Sequence, residues 1–325
     1  RLLRTAIFYS LFFLLQSSCS ENDPVQPVPQ VEEEEFQALG ADAPYLPGNT
    51  YYGRNEYVRY DVGDLPIILS APHGGKIKPL EIYDRTYGVT VTDYNTRELT
   101  ETITAVFQSV FGARPHVIIN NLSRYKLDAN RDVVEAAQGN IYAVRAWEEY
   151  HHYIASAKSS IEAQFGYGLF LDIHGHGANP DGYYDMRTWL GYLLTGDELD
   201  KSDADINNSI YQDISSIKTL TEVSPEDFVQ VLRGPNSLGS LLNEAYSTLP
   251  STSYPGPEGM FYYSGGYNTH RHGSSEVGGA ISAIQLEMPL PGIRENNSQW
   301  YDFGLALSAA LETYFKVHYN MDLKQ

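Results

Sequence analysis

The sequence predicts an α/β domain: a mixed, mostly parallel central sheet flanked by helices. Two observations predict it. Apolar runs of strand length alternate with segments of helical period, and the polar clusters fall where the apolar runs end. In open α/β sheets ligands gather at the carboxyl ends of the strands, so the polar clusters point to both a fold and a site.

The first residues, RLLRTAIFYSLFFLLQSSCS, stand outside that pattern. Arg1 and Arg4 precede an apolar stretch from Ala6 to Leu15, then small polar residues and the only cysteine, Cys19. A basic start, a short apolar run and a small-residue end describe a secretory signal, and the run is shorter than the about 20 apolar residues of a membrane span. The lone Cys resembles the lipobox of exported bacterial lipoproteins. Gln16 stands where that motif usually has an aliphatic residue, and ordinary cleavage near the Ser-rich patch is the alternative. Residues 1–19 are therefore expected to be the signal of a cell-envelope lipoprotein, at the outer membrane or surface. The anchor would be Cys19, with no transmembrane helix in the mature chain. Residues 20–50, rich in Pro and acid and without period, read as a tether, with Glu32–Glu35 as solvated linker. Residues 51–325 are expected to form a single domain, a length within the range of one large α/β unit.

Within that domain Leu65 to Ala71 (LPIILSA) reads as a buried strand. Asp93 to Val110 follows with Leu99, Ile103, Val106 and Val110 at helical spacing, and Asp93 is placed to cap that helix. His116 to Asn120 (HVIIN) is the next strand and Tyr142 to Gln164 a long helix. Leu169 to Ile173 (LFLDI) is another strand, Trp189 to Leu194 a further one, and Ile281 to Met288 (ISAIQLEM) the last. Trp300 to Val317 closes the chain as an amphipathic helix. There is no internal repeat, heptad run or glycine-rich phosphate loop.

Charge narrows the function. With 22 basic and 41 acidic residues the net charge is −19, which opposes nucleic-acid binding and leaves capture of an anion to local arginines. One cysteine permits neither an intrachain disulfide nor a Cys metal site, so any metal must use His, Asp or Glu. The 26 tyrosines read mainly as loop and surface packing, with a minority available to line a groove.

Four segments carry the chemistry. SAPHGG places His73 just after the first strand, with Gly74 and Gly75 permitting a tight loop. LSRYKLDANRD offers Arg124, Asn130 and Arg131. DIHGHG offers His174 and His176, and QLEMP puts Glu287 on the last strand, where burial would raise a carboxyl pKa. Each has a bland reading: a loop hydrogen bond, an ion pair tying loops, a strand Glu paired with an arginine. Jointly they suit a zinc hydrolase, with imidazole ligands, an activated water, a carboxylate base and an arginine for developing negative charge.

The order PHGG, TD opening a helix, SR…D.NRD, D.HGH, GGYNTHRHG and Q.E resembles the N-formylglutamate amidohydrolase family over roughly residues 60–320. That family is itself similar to the zinc carboxypeptidases, so the resemblance implies a zinc-carboxypeptidase-like (phosphorylase/hydrolase-like) fold. It implies one zinc ion, or another divalent metal, on His73 and His174. The carboxypeptidases have a Glu three residues after the first His, and here that position is Lys76. The resemblance makes Asp93 the third ligand, with Glu81 competing and a plain helix cap the alternative for Asp93. It makes Glu287 the general base and Arg131, with Asn130, the grip on a substrate carboxylate or scissile carbonyl, with Arg124 as a second grip. Arg271 and Tyr267 would touch substrate from the glycine-rich loop, with His270 or His272 as bystanders. His176 would stand on the pocket wall, and Asp172 would orient an imidazole.

The activity so implied is zinc-dependent hydrolysis of an amide next to a carboxylate. The substrate would be a small acylated amino acid such as N-formylglutamate, or a γ-glutamyl or cell-wall peptide. A carboxypeptidase or poly-γ-glutamate hydrolase on the same fold is the alternative enzyme. A surface ligand-binding lipoprotein without catalysis is the alternative from another class, to which the Lys76 departure gives weight.

Overall fold

The computed structural model describes residues 36–178, 182–275 and 278–324. The expected signal with Cys19, and the tether up to residue 35, lie outside the described residues. The compact unit spans Leu39–Gln325. The last part of the stretch read as tether belongs to that unit, for a physical reason: the Tyr45 ring packs edge-on against Tyr51, Tyr60 and Tyr153, at centroid distances of 4.9, 5.5 and 5.6 Å. No helix among the described residues is long and apolar enough to cross a membrane.

The sheet has eight strands among the described residues: β1 (Thr50–Tyr52), β2 (Val58–Asp61), β3 (Ile67–Ala71), β4 (His116–Asn120), β5 (Gly168–Gly175), β6 (Thr188–Gly191), β7 (Thr248–Leu249) and β8 (Ile281–Met288). Their order is β1-β2-β4-β3-β5-β8-β6-β7. The central strands β4, β3, β5 and β8 run parallel, while β1, β2 and the β6–β8 pair are antiparallel joins, so the sheet is mixed as the sequence predicts. The central strands are apolar runs buried along their length, as sheets covered on both faces require.

The longest helices are α1 (Thr96–Phe111), α3 (Ile141–Phe165) and α11 (Asn297–His318); between α1 and α3 lies the short α2 (Val133–Ala137). Six short helices, α4–α9, occupy residues 196–242, and α10 (Tyr267–His272) precedes β8. One face of the sheet carries Leu69, Leu171, Ile173 and Leu286 and is covered by α1 and α11 through Leu99, Ile103, Phe303, Leu307 and Phe315. The other carries Ile68, Phe170 and Ala283 under Tyr150, Ile154 and Ile161 of α3. Each such side chain taken fully out of water contributes about 1.5–3 kcal/mol.

The register locates the site. Ser70 pairs with Asp172, Asp172 with Gln285, and His174 with Glu287. Paired residues point to the same face of a sheet, so the α3 face changes from apolar to polar toward the carboxyl ends of β3, β5 and β8.

Candidate metal centre

His73 lies in the turn that leaves β3. That turn has no room for larger residues at its glycines. A Cβ on Gly74 would stand 2.5 Å from the Arg97 backbone N, and one on Gly75 about as close to the backbone of Asn121 and Leu122. The Asn120 side chain donates to the Pro72 carbonyl at 2.8 Å and fixes the same turn. His174 stands near the end of β5, and Asp93 precedes α1.

These three residues converge, with one donor atom from each lying within 4.8 Å of the others, all buried. Asp93 Oδ2 lies 3.2 Å from His73 Nδ1, 3.0 Å from His174 Nδ1 and 3.2 Å from the Gly175 N–H. The far nitrogen of each ring meets another carboxylate: His73 Nε2 is 2.7 Å from Asp128 Oδ1, and His174 Nε2 is 2.8 Å from Asp172 Oδ2. A carboxylate behind each ring fixes the Nε2–H tautomer and turns the Nδ1 lone pair inward, the arrangement that orients histidine ligands.

The donor set fits a divalent cation. For every contact above to be a hydrogen bond, both imidazoles must carry two protons, which buries two positive charges side by side. A cation between the two Nδ1 atoms and Asp93 satisfies the same atoms with both rings neutral. Two nitrogens and a carboxylate oxygen, without sulfur, suit zinc and other borderline divalent ions.

The electrostatics follow the same pairing. Burial alone would raise the Asp93 carboxyl, but the two histidines outweigh it and hold it well below the ordinary range. Burial likewise opposes the charge of Asp128, and His73, Arg124 and Arg131 overcome it and lower its pKa. His174 is raised, with Asp172, Asp93 and Glu287 outweighing burial. Glu287 moves the other way from Asp93: burial, reinforced by Asp93, lifts it to about 7 against the pull of His174 and Arg294. Gln285 Nε2 donates to Glu287 Oε1 at 2.9 Å and fixes that carboxyl beside His174.

Several residues stand where the sequence places them and others do not. Asp93 does not cap α1. The N-cap position is Asn95, in the left-handed region with φ 62°, and the Asp93 carboxylate turns to the histidines instead. Glu81 is taken by Arg54, Asn55 and Tyr57 and stands outside the three-residue cluster. Lys76 Nζ pairs with Glu98 at the surface. Arg124 is buried, its Nε 2.9 Å from Asp128 Oδ2 and its Nη1 3.4 Å from Asp93 Oδ1. Asn130 touches His174 Nε2 at 3.3 Å and accepts from the Asn268 N–H at 2.7 Å.

Arg131 keeps 32 % of its side chain exposed, with Nη1 on the Asn130 carbonyl and Nε 3.3 Å from Glu135. Arg271 and Tyr267 contact each other at 2.9 Å, and the Arg271 guanidinium lies 5.1 Å above Trp147, so their contacts are with one another rather than with His73, Asp93 or His174. His270 is exposed, and His272 stacks on His151 beneath α10. His176 lies flat on Trp189, rings 4.1 Å apart and 8° from parallel, and donates from Nε2 to the Arg187 carbonyl.

Ser70, Asp128 and Asn268 lie inside SAPHGG, D.NRD and GGYNTHRHG with no role read for them in the sequence, and Arg294 lies outside every motif; all four join the site. Arg294 fills the space a Cβ on Gly175 would need, at 2.2 Å, and donates to the carbonyls of Met288, His176 and Tyr94, buckling the ends of β5 and β8 to the Asp93 loop. Ser70 and Asn268 donate to Asp172. Asp128 has a local signal, four residues after Arg124 in LSRYKLDANRD, a spacing that lets the two pair.

No protein-family model matches the chain, and no curated protein matches it. Among solved structures it is similar to an N-formylglutamate amidohydrolase from Ralstonia eutropha JMP134, at 14 % identity and a TM-score of 0.44 over 78 % of this chain and 93 % of that one. It is also similar to a gene product of Agrobacterium tumefaciens, at 9 % identity and a TM-score of 0.46 over 79 % of this chain and 94 % of that one. A carboxypeptidase A candidate from Shewanella denitrificans OS-217 aligns at 13 % identity and a TM-score of 0.38, over 79 % of this chain and 60 % of that one.

Proposed function

We propose that the chain is a metal-dependent hydrolase of amide bonds. The observation that carries this reading is the convergence of His73 Nδ1, His174 Nδ1 and Asp93 Oδ2, with a carboxylate behind each ring and the buried Glu287 paired in register with His174. A divalent cation held by those three residues, zinc by its fit to N and O donors, supplies the Lewis acidity that polarises an acyl oxygen and activates water. Glu287 takes the proton of the attacking water and returns it to the leaving nitrogen, a task for which its carboxyl, in register with His174 on the neighbouring strand, is placed. Asp128 and Asp172 hold the two imidazoles in the tautomer that faces inward, and Gln285 keeps the Glu287 carboxyl in place.

Arg131 is the arginine for a carboxylate or a developing oxyanion, because about a third of its side chain is exposed whereas Arg124 and Arg294 are buried against Asp128, Asp93 and backbone carbonyls. An amide next to a carboxylate, as in an acylated amino acid or a γ-glutamyl peptide, suits that arrangement. A binding protein without catalysis is disfavoured, since Asp93 provides the carboxylate that Lys76 does not. Export as a lipoprotein through Cys19 belongs to the same proposal. Cys19→Ala should move the protein from the membrane to the soluble fraction, and retention in the membrane would place the anchor elsewhere. The test of catalysis is Glu287→Gln, which should keep one metal per chain yet lose hydrolysis of an N-acyl amino acid by about 100-fold or more. Turnover equal to wild type would remove Glu287 from the mechanism.

A further inference from the structure

An aromatic wall stands one strand from the proposed base. Trp189 on β6 pairs in register with Glu287 on β8, so the indole stands on the same face of the sheet as that carboxyl. His176 covers one side of the indole. Phe261 and Tyr263 approach it at 6.2 and 5.7 Å and meet each other edge-on at 4.9 Å and 86°. Trp189 is buried, whereas Phe261 and Tyr263 remain 40 % and 44 % exposed, so the cluster has a wet, apolar outer surface.

The backbone fixes that surface against the site. A Cβ on Gly191 would come within 2.6 Å of the Gly265 N, so the segment carrying both rings lies directly on β6. One residue on, a Cβ on Gly266 would stand 2.5 Å from Asn130 and 3.0 Å from Gln285, which touch His174 and Glu287 respectively. The Tyr263 hydroxyl is raised by burial and then by the charges of Glu287 and Asp93, which places it in the field of the site. Phe261 and Tyr263 pack on Trp189 and on each other yet keep an exposed edge, and an edge-to-face cluster accepts a further ring in the same geometry.

We propose that Phe261 and Tyr263 form the specificity surface of the site, which takes an aromatic side chain on the substrate residue next to the scissile amide. This rests on the proposed function for the identity of the site, and it excludes small acyl amino acids such as N-formylglutamate as the preferred substrate. An aromatic partner is favoured over a sugar ring because residues 260–263, Met-Phe-Tyr-Tyr, carry no carboxylate, amide or guanidinium to bind sugar hydroxyls.

The test compares N-acetyl-phenylalanine and N-acetyl-alanine by calorimetry on zinc-loaded Glu287→Gln protein, with and without Phe261→Ala and Tyr263→Ala. The phenyl ligand should bind about tenfold or more tightly than the methyl ligand, the gain expected from burying a ring, and either alanine should shrink that preference. Equal binding of the two ligands, or a preference that both alanine variants leave intact, would overturn the proposal. So would tighter binding of an N-acetylglucosamine oligomer that the alanine variants abolish. Wild-type turnover of both compounds separates the two readings. Preference without hydrolysis overturns the hydrolase and keeps the wall, whereas hydrolysis without preference overturns the wall alone.

Discussion

Replacing Asp128 by Asn tests whether the carboxylates behind the rings belong to the metal site. Asp128 Oδ1 is 2.7 Å from His73 Nε2 and also accepts from the Asn130 N–H at 3.1 Å, while Oδ2 accepts from Arg124 Nε at 2.9 Å. In the Asp128→Asn protein the new amide's oxygen must stay toward His73 and Asn130, because both are donors. The amide nitrogen then faces Arg124, donor against donor. Arg124 is also the cation on Asp93 Oδ1, so one substitution weakens a ligand's tautomer and loosens a second ligand. Partners behind a metal-bound imidazole typically contribute 10–100-fold in affinity, or about 1.4–2.7 kcal/mol. The assay is competition for zinc with a chromophoric chelator at pH 7.5. Asp128→Asn should lose about 10–100-fold in affinity, and an affinity within twofold of wild type would refute the reasoning.

Other expectations follow from the same geometry. Arg124→Lys loses the fork that joins Asp93 to Asp128, so zinc affinity should fall about tenfold while KM at saturating zinc stays unchanged; a raised KM alone would return Arg124 to substrate binding. Gly75→Ala puts a Cβ about 2.4 Å from the Asn121 and Leu122 backbone and should lower urea stability by roughly 1–3 kcal/mol together with zinc affinity. His116, whose Nδ1 accepts from the Gly63 N–H, is lowered by burial to about 4. The unfolded state therefore binds the proton more readily between about pH 6.5 and 4, and the stability from a neutral His116 is complete above that window and lost as pH falls through it. The urea-stability gap between wild type and His116→Asn should shrink by up to about 3 kcal/mol from pH 7 to pH 4, and a constant gap would contradict the assignment.

The parts of the fold legible in the sequence are those where burial on both faces writes a continuous apolar run. Ile281–Met288 and His116–Asn120 are such runs, and their bounds agree with the structure. The edge strand β1 and its neighbour β2 mix Tyr with Thr, Arg and Asp, and nothing in TYY or VRYD separates them from loop. The short helices of residues 196–242 have four to six residues each, too few to establish a period. At the site, His73 is visible because it follows the apolar strand β3, and His174 because it ends the apolar run of β5. Asp93 is visible through motif order, while its position before a helix argues for a cap that the histidines override. Arg294 acts through carbonyls distant in sequence, a role that leaves no local pattern, and Asn268, though inside GGYNTHRHG, reaches a carboxylate 96 residues away.

The central claim is that His73, Asp93 and His174 hold one divalent ion, and metal stoichiometry with ligand replacement tests it most directly. The purified protein, titrated with zinc and gel-filtered, should carry one zinc per chain, and His73→Ala, Asp93→Ala and His174→Ala should each carry close to none while keeping their far-UV spectrum. Zinc absent from folded wild type, or retained in full by the His174→Ala protein, would contradict it.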